Sequence, residues 1–151
     1  MKAIKKYFDV IVLGIILLSF ILFFIPSGAF KYHNELSYKS NVYKMIFGFK
    51  DNGYAILNFN FLGFLIILLL VIVVVTILLK KVLKKYTYLI SGALLLIATI
   101  LCLLLPKTVN VEMASTKDLF VALPFLYVTC VVMIIGATIC LYKGINELFK
   151  K

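Results

Sequence analysis

The sequence predicts an all-α membrane protein: a four-transmembrane-helix bundle with a small extracellular β-sheet cap built from its two long connections. Three observations lead there. The chain of 151 residues is 64% hydrophobic, well above the roughly 45–50% of ordinary soluble domains, so the surplus apolar surface must face lipid. Uninterrupted apolar runs occur four times, over residues 10–25, 59–79, 86–105 and 119–142. The lysines behind the formal charge of +10 gather in compact groups beside those runs. Only helices and closed barrels satisfy backbone polar groups in hydrocarbon, and continuous apolar runs lack the alternation of a barrel strand.

The first span is expected over residues 7–25, with Tyr7 and Phe8 extending a run that is short beside the roughly 20 residues needed to cross. Asp9 falls at its start, where a helix N-terminus favours an anion. The same region, "MKAIKK" followed by an apolar stretch and "SGAF", also reads as a signal peptide cleaved after Ala29, which would leave three spans. The run exceeds a usual signal core, so retention is the expectation. The second span, 59–79, is opened by Asn58 and Asn60 as helix-start or interfacial residues. The third covers 86–105. The fourth, 119–142, is either kinked or begun by Pro124, after an outer turn capped by Ser115 or Thr116 with Asp118. No Lys, Glu or His falls within any of these spans, which argues against a proton relay or ion pathway.

Charge density orients the bundle. Lys2, Lys5 and Lys6 precede the first span, Lys80, Lys81, Lys84 and Lys85 fill the short loop 80–85, and Lys143, Lys150 and Lys151 follow the fourth span. The connections 26–58 and 106–118 carry lysine more thinly. The positive-inside rule therefore makes both termini and the 80–85 loop cytoplasmic, in a multi-pass protein of the cell membrane. Lys80, Lys81, Lys84 and Lys85 are also expected to contact anionic lipid, each contributing about 1 kcal/mol near an acidic leaflet. The chain has no Arg, and lysine alone presents a point charge without bidentate recognition of phosphate, so nucleic acid is not an expected partner.

Small residues recur at helical spacing. Ser91, Ala98 and Cys102 form one stripe, and Thr129, Gly136 and Cys140 form a second. At about 100° per residue each set lies on one narrow face, where small side chains let helices approach closely in lipid. The three cysteines are expected at different depths: Cys102 near the outer end of its span, Cys130 near the middle and Cys140 towards the cytoplasm. At ~1.5 Å per residue these depths differ too much for a disulfide. No Cys/His spacing suits a metal, His33 beside Glu35 included.

The connection 26–58 is too long to be structureless. Residues 30–38 and 42–49 are rich in aromatic and β-branched side chains around the turn-prone pairs His33-Asn34 and Ser40-Asn41. Asp51-Asn52-Gly53 reads as a turn that also caps the second span. In "TVNVEM", Val109, Val111 and Met113 alternate onto one face. One small antiparallel sheet over the outer face follows. Aromatics crowd the same side, and Phe23, Phe24, Tyr43, Phe47, Phe49, Phe61 and Phe125 are the candidate outer-face binding residues.

This plan of four spans, internal termini and a large first external loop that pairs with the second resembles the claudin-type tetraspan arrangement. It also resembles small bacterial four-span proteins of unassigned function, and the lysine-rich, Arg-free composition is compatible with a low-GC bacterial gene. The likeness is one of plan: the Trp and paired Cys of the claudin first loop have no counterpart here, so no functional residue carries over. With one His and scattered loop carboxylates, the chain is poorly equipped for catalysis, and no cofactor is implied. The expected role is non-enzymatic: an accessory or self-associating envelope subunit that binds a membrane protein or a second copy through its outer face. The alternative is passive handling of lipid or small solutes in a cavity among the spans.

Overall fold

In the computed structural model the described residues are 2–32, 35–51, 54–111 and 120–149. The chain is mostly helical. Helix α1 (Lys2–Leu22) leads into strands β1 (Pro26–Tyr32) and β2 (Glu35–Asn41), the short helix α2 (Val42–Phe47), and strands β3 (Phe49–Asp51) and β4 (Tyr54–Asn58). Helix α3 (Phe61–Leu78) is followed by a turn formed by α4 (Lys80–Leu83) and a 3-10 turn over Lys84–Tyr86. Helix α5 (Thr87–Thr108) then connects through β5 (Asn110–Val111) and β6 (Phe120–Ala122) to α6 (Pro124–Leu148).

Helices α3, α5 and α6 are long and apolar enough to cross a membrane. The apolar part of α1, Tyr7–Leu22, is shorter, because the chain tightens after Leu22. Phe24 and Ile25 donate their N–H groups to the carbonyls of Ile21 and Leu22, and Pro26 opens β1. The expected first span over 7–25 therefore ends early as a helix. The four long helices close a ring in the order α1, α6, α5, α3, each antiparallel to its neighbours, with the α1–α3 side the slimmest. Ile16, Ile66, Leu70, Leu95 and Met133 fill its interior.

Helix boundaries have local causes. Pro124 begins α6 instead of kinking it, because a first-turn position needs no N–H donor. Residues 120–122, expected inside the fourth span, are strand. The cap proposed from Ser115, Thr116 and Asp118 lies outside the described residues. Helix α5 runs through Pro106 to Thr108, beyond the expected end at 105. A proline in the last turn removes only one ladder bond there. Asn60, and not the 51–53 turn, caps α3: its side chain accepts from the Gly63 N–H at 3.1 Å and donates to the Thr108 carbonyl of α5 at 2.9 Å. Asn52 and Gly53 lie outside the described residues.

Among the described residues, two three-stranded antiparallel sheets stand where one was expected, in the orders β2-β1-β6 and β3-β4-β5. Each joins both long connections. Gly28, Ala29 and Phe30 of β1 face Ala122, Val121 and Phe120 of β6, and Leu57 and Asn58 of β4 face Val111 and Asn110 of β5. The turn at His33-Asn34 and the alternating position Met113 lie outside the described residues.

Of the stretch 42–49, expected as strand, Val42–Phe47 is helix and only Phe49 enters a strand. Its apolar positions Val42, Met45 and Ile46 have helical spacing and are all fully buried. Asn41, expected in a turn, supplies the N-cap by accepting from Lys44 N at 2.9 Å. A six-residue helix is marginal alone, so burial of that face between β1 and α3 holds it. Gly48 ends it with a φ of 79°, and a Cβ there would lie 2.4 Å from the Leu57 carbonyl oxygen. Only glycine meets both demands.

Candidate functional site

Seven aromatic residues were expected on the outer face, and the structure separates them. Phe23 is fully buried in the core, where its ring meets Tyr43 edge-on at 5.9 Å, so it cannot contribute surface. Tyr43 is half-buried. Its ring lies 4.4 Å from that of Phe24, and its hydroxyl donates to the Phe20 carbonyl at 3.4 Å. Burial holds the Tyr43 phenol above its ordinary pKa. Phe24 itself is 66% exposed. A second group gathers Phe47, Phe59 and Phe64, with ring centroids 6.0–6.4 Å apart. Phe49 is half-buried beneath the Lys44 ammonium, 4.9 Å from its ring. Phe61 and Phe125, at the starts of α3 and α6, are exposed. The capped end thus presents two aromatic groups and two flanking rings, not one convergent pocket.

The six small residues expected to pack helices, Ser91, Ala98, Cys102, Thr129, Gly136 and Cys140, are all buried. A Cβ on Gly136 would meet Ile15 Cγ2 of α1 at 2.9 Å. Two glycines outside that set mark a close approach between α5 and α6. A Cβ on Gly144 would lie 2.6 Å from Leu89 N, and one on Gly92 would lie 2.6 Å from Leu141 Cγ and 3.0 Å from its backbone N. Gly144 follows Cys140 by four residues and continues its stripe, so the spacing held the signal. Cys102 and Cys130 also come together. They are near neighbours across α5 and α6, although the expected depths kept them apart. The expectation failed because α6 begins at Pro124, which raises Cys130 by more than one turn relative to a span starting at 119.

The opposite end of the bundle carries a polar cluster that the sequence reading missed. Helix α1 begins at Lys2, so Asp9 lies two turns inside it and not at its N-terminus. Lys80 Nζ donates to Asp9 Oδ2 at 2.9 Å and Oδ1 at 3.2 Å. The Tyr88 hydroxyl donates to the same carboxylate and accepts from Lys80. Lys143 of α6 sits 3.8 Å from the ring centroids of both Phe8 and Tyr88, and 3.9 Å from Glu147 Oε1. Its side chain is only 15% exposed, against 38% for Lys80. An ammonium enclosed by two aromatic faces and a carboxylate keeps favourable partners where water is scarce.

The four lysines expected at anionic lipid therefore divide. Lys80 has intramolecular partners, while Lys81 and Lys85 are exposed, Lys85 lying 5.5 Å from the Tyr86 ring. Lys84 lies in the 3-10 turn between them. Asp9 and Lys80 are 71 residues apart, and no local pattern joins them. The available signal was a single carboxylate beside an apolar run, opposite a cluster of cations.

Fold and composition define the class: this is a helical membrane protein, with three helices of spanning length and apolarity among the described residues. Comparison with family models, with curated proteins and with solved structures found no match to this chain.

Proposed function

We propose that the protein is a four-span subunit of a cell envelope, with both termini and the 80–85 turn cytoplasmic, that acts by binding a membrane protein or a second copy through its capped outer end. One observation carries the reading, namely the aromatic rings that the capped end gathers on its surface around α2 and the helix starts, although the lysine end also exposes Val82, Tyr86, Tyr142 and Phe149. At the lysine end four partly exposed charges answer one another, Asp9 with Lys80 and Lys143 with Glu147. At the capped end Phe24, Phe47, Phe61 and Phe125 remain on the surface, beyond what closing the helices requires. Exposed apolar surface beside polar elements is the kind that receives partners.

Helix α1 supports a fourth span. Its 21 residues extend roughly 31 Å at ~1.5 Å per residue. It packs along α6 and α3, and it turns Val10, Leu17 and Ile21 outwards, in keeping with a lipid-facing side. Lysine density sets the orientation, with Lys81 and Lys85 available to anionic headgroups. The filled interior weighs against a solute path between the helices, and the reading involves no catalysis.

Purification in mild detergent tests the proposal. Wild type is expected to carry a second copy or a membrane-protein partner, and a Phe24→Ser/Phe47→Ser variant to insert normally and lose it. A Lys81→Gln/Lys85→Gln variant keeps it. Loss in the lysine variant with retention in the aromatic variant would put the binding face on the other side.

A further inference from the structure

The outer surface of the bundle sorts its rings by height. On the four long helices and the turns beside them, Tyr7, Tyr86 and Tyr142 are exposed at the lysine end and Phe24, Phe61 and Phe125 at the capped end. Between these levels every large exposed side chain among the described residues is aliphatic, from Val10 to Ile21 on α1, Leu62 to Leu78 on α3, Ile90 to Leu104 on α5 and Val128 to Ile135 on α6. Thr138, the one exposed hydroxyl described in this band, donates to the Ile134 carbonyl at 2.9 Å. Each helix measures the band independently. Tyr7 precedes Phe24 by 17 residues, Phe61 precedes Leu78 by 17, Phe125 precedes Tyr142 by 17, and Tyr86 precedes Leu104 by 18. At ~1.5 Å per residue each interval is about 25–27 Å. The bands of α1 and α6 also overlie one another, since Lys143 lies against Phe8 and a Cβ on Gly136 would meet Ile15.

We infer that the rings are two girdles bounding a hydrocarbon belt about 25 Å tall, and that the lipid this surface fits is a bilayer thinner than the roughly 30 Å norm, made of short or kinked acyl chains. Both edges of the belt have a physical cause. At the lysine end a tyrosine can keep its ring in the apolar layer and its hydroxyl in water. Asp9 follows Tyr7 by two residues and Lys143 adjoins Tyr142, so charge begins at the same height. At the capped end the strands start directly beyond the rings, β1 at Pro26 and β4 ending at Asn58, and open sheet edges do not enter hydrocarbon. Tilting the helices would only shorten the belt. A thicker bilayer would draw charges or strand edges into the acyl layer, or would have to thin around the protein. The inference rests on α1 as the fourth span. It is compatible with the binding role above, because a partner in the same membrane meets the capped-end rings at headgroup depth.

The chain has no Trp, so Leu17→Trp on α1 and Val131→Trp on α6, both at exposed positions well inside the band, each supply a single fluorescent reporter. The full chain carrying either one is reconstituted in dioleoylphosphatidylcholine mixed with its dimyristoleoyl, dipalmitoleoyl or dierucoyl homologue, one lipid of each pair having brominated chains that quench indole emission. Quenching ranks the lipids at the protein surface. Both reporters should be quenched, with the best binding at dipalmitoleoyl or dimyristoleoyl chains and roughly threefold weaker binding of the dierucoyl lipid. Equal affinity across the series, or an optimum at dioleoyl or dierucoyl chains, would overturn the inference while leaving α1 in the membrane. Quenching of Val131→Trp alone would take α1 out of the bilayer, and the four-span reading would fail together with the inference.

Discussion

At the lysine end, side chains from α1, α4, α5 and α6 are gathered around a single carboxylate, with Lys80 and Tyr88 on Asp9 and Lys143 clasped between Phe8 and Tyr88. At the capped end the helices are joined by backbone ladders and by the apolar face of α2. Val42 N donates to the Phe23 carbonyl, Asn60 N to the Ile46 carbonyl, and each sheet takes strands from both connections. The difference teaches where each kind of interaction can operate. Charged groups serve at the end where chain connections are short and lysine is dense. The far end has long connections with many N–H and C=O groups to satisfy, and sheets satisfy them in bulk.

The largest effect should come from the capped end. Ile46→Ala removes a fully buried side chain that lies over Gly63 and near Leu105. Truncations of this kind cost about 2–5 kcal/mol, read as a fall in Tm in detergent. Exchanging the whole stretch 42–49 for a polar linker would disrupt the fold itself, so single exposed positions are the cleaner probes of binding.

Next comes the α5–α6 crossing. Gly144→Ala sets a methyl against the Leu89 backbone, which cannot rotate away, and overpacking costs about 1–3 kcal/mol. Gly28→Ala at the capped end meets only the ends of Met45 and Phe120, so it should lower Tm less. Equal losses would mean that both crossings yield alike. Gly136→Leu should likewise exceed Val131→Leu, whose side chain is exposed.

Smaller changes are expected in the polar cluster. Tyr88→Phe deprives the Asp9 carboxylate of a buried donor and should cost about 1 kcal/mol. Lys80→Gln should cost less, because both members of the ion pair are partly exposed and such pairs contribute about 0–1 kcal/mol. If Lys80→Gln proves the worse variant, the pair is shielded from water more completely than its exposure indicates. Raising salt should shrink the Lys80 effect and spare that of Tyr88. The proposed orientation gives a yes-or-no result: with native cysteines replaced, a cysteine at Lys81 should be labelled only after the membrane is opened, and one at Lys39 in intact cells.

Much of the fold was legible, and the failures have physical causes. Apolar runs located α3, α5 and α6, and the small residues Ala98, Gly136 and Cys140 could be assigned to one face each because helical spacing is local. Residues 42–49 were misread because eight residues rich in aromatics suit a strand or a helix about equally. Their burial partners, β1 and α3, settled the choice. The aromatics of the capped end were found as a group, but Phe23 and Phe24 are adjacent in sequence and opposite in exposure, which depends on where α1 stops turning.

Composition and charge spacing determined by themselves that this chain enters a membrane and forms helices there, because partition into hydrocarbon and backbone hydrogen bonding act on short contiguous segments. Tertiary structure alone decided that Asp9 meets Lys80, that Cys102 neighbours Cys130 and that α2 lies against the bundle. Each of these contacts depends on the axial offset and rotation of one helix against another. A shift of a single turn, like the one Pro124 imposes on α6, is enough to make or break them.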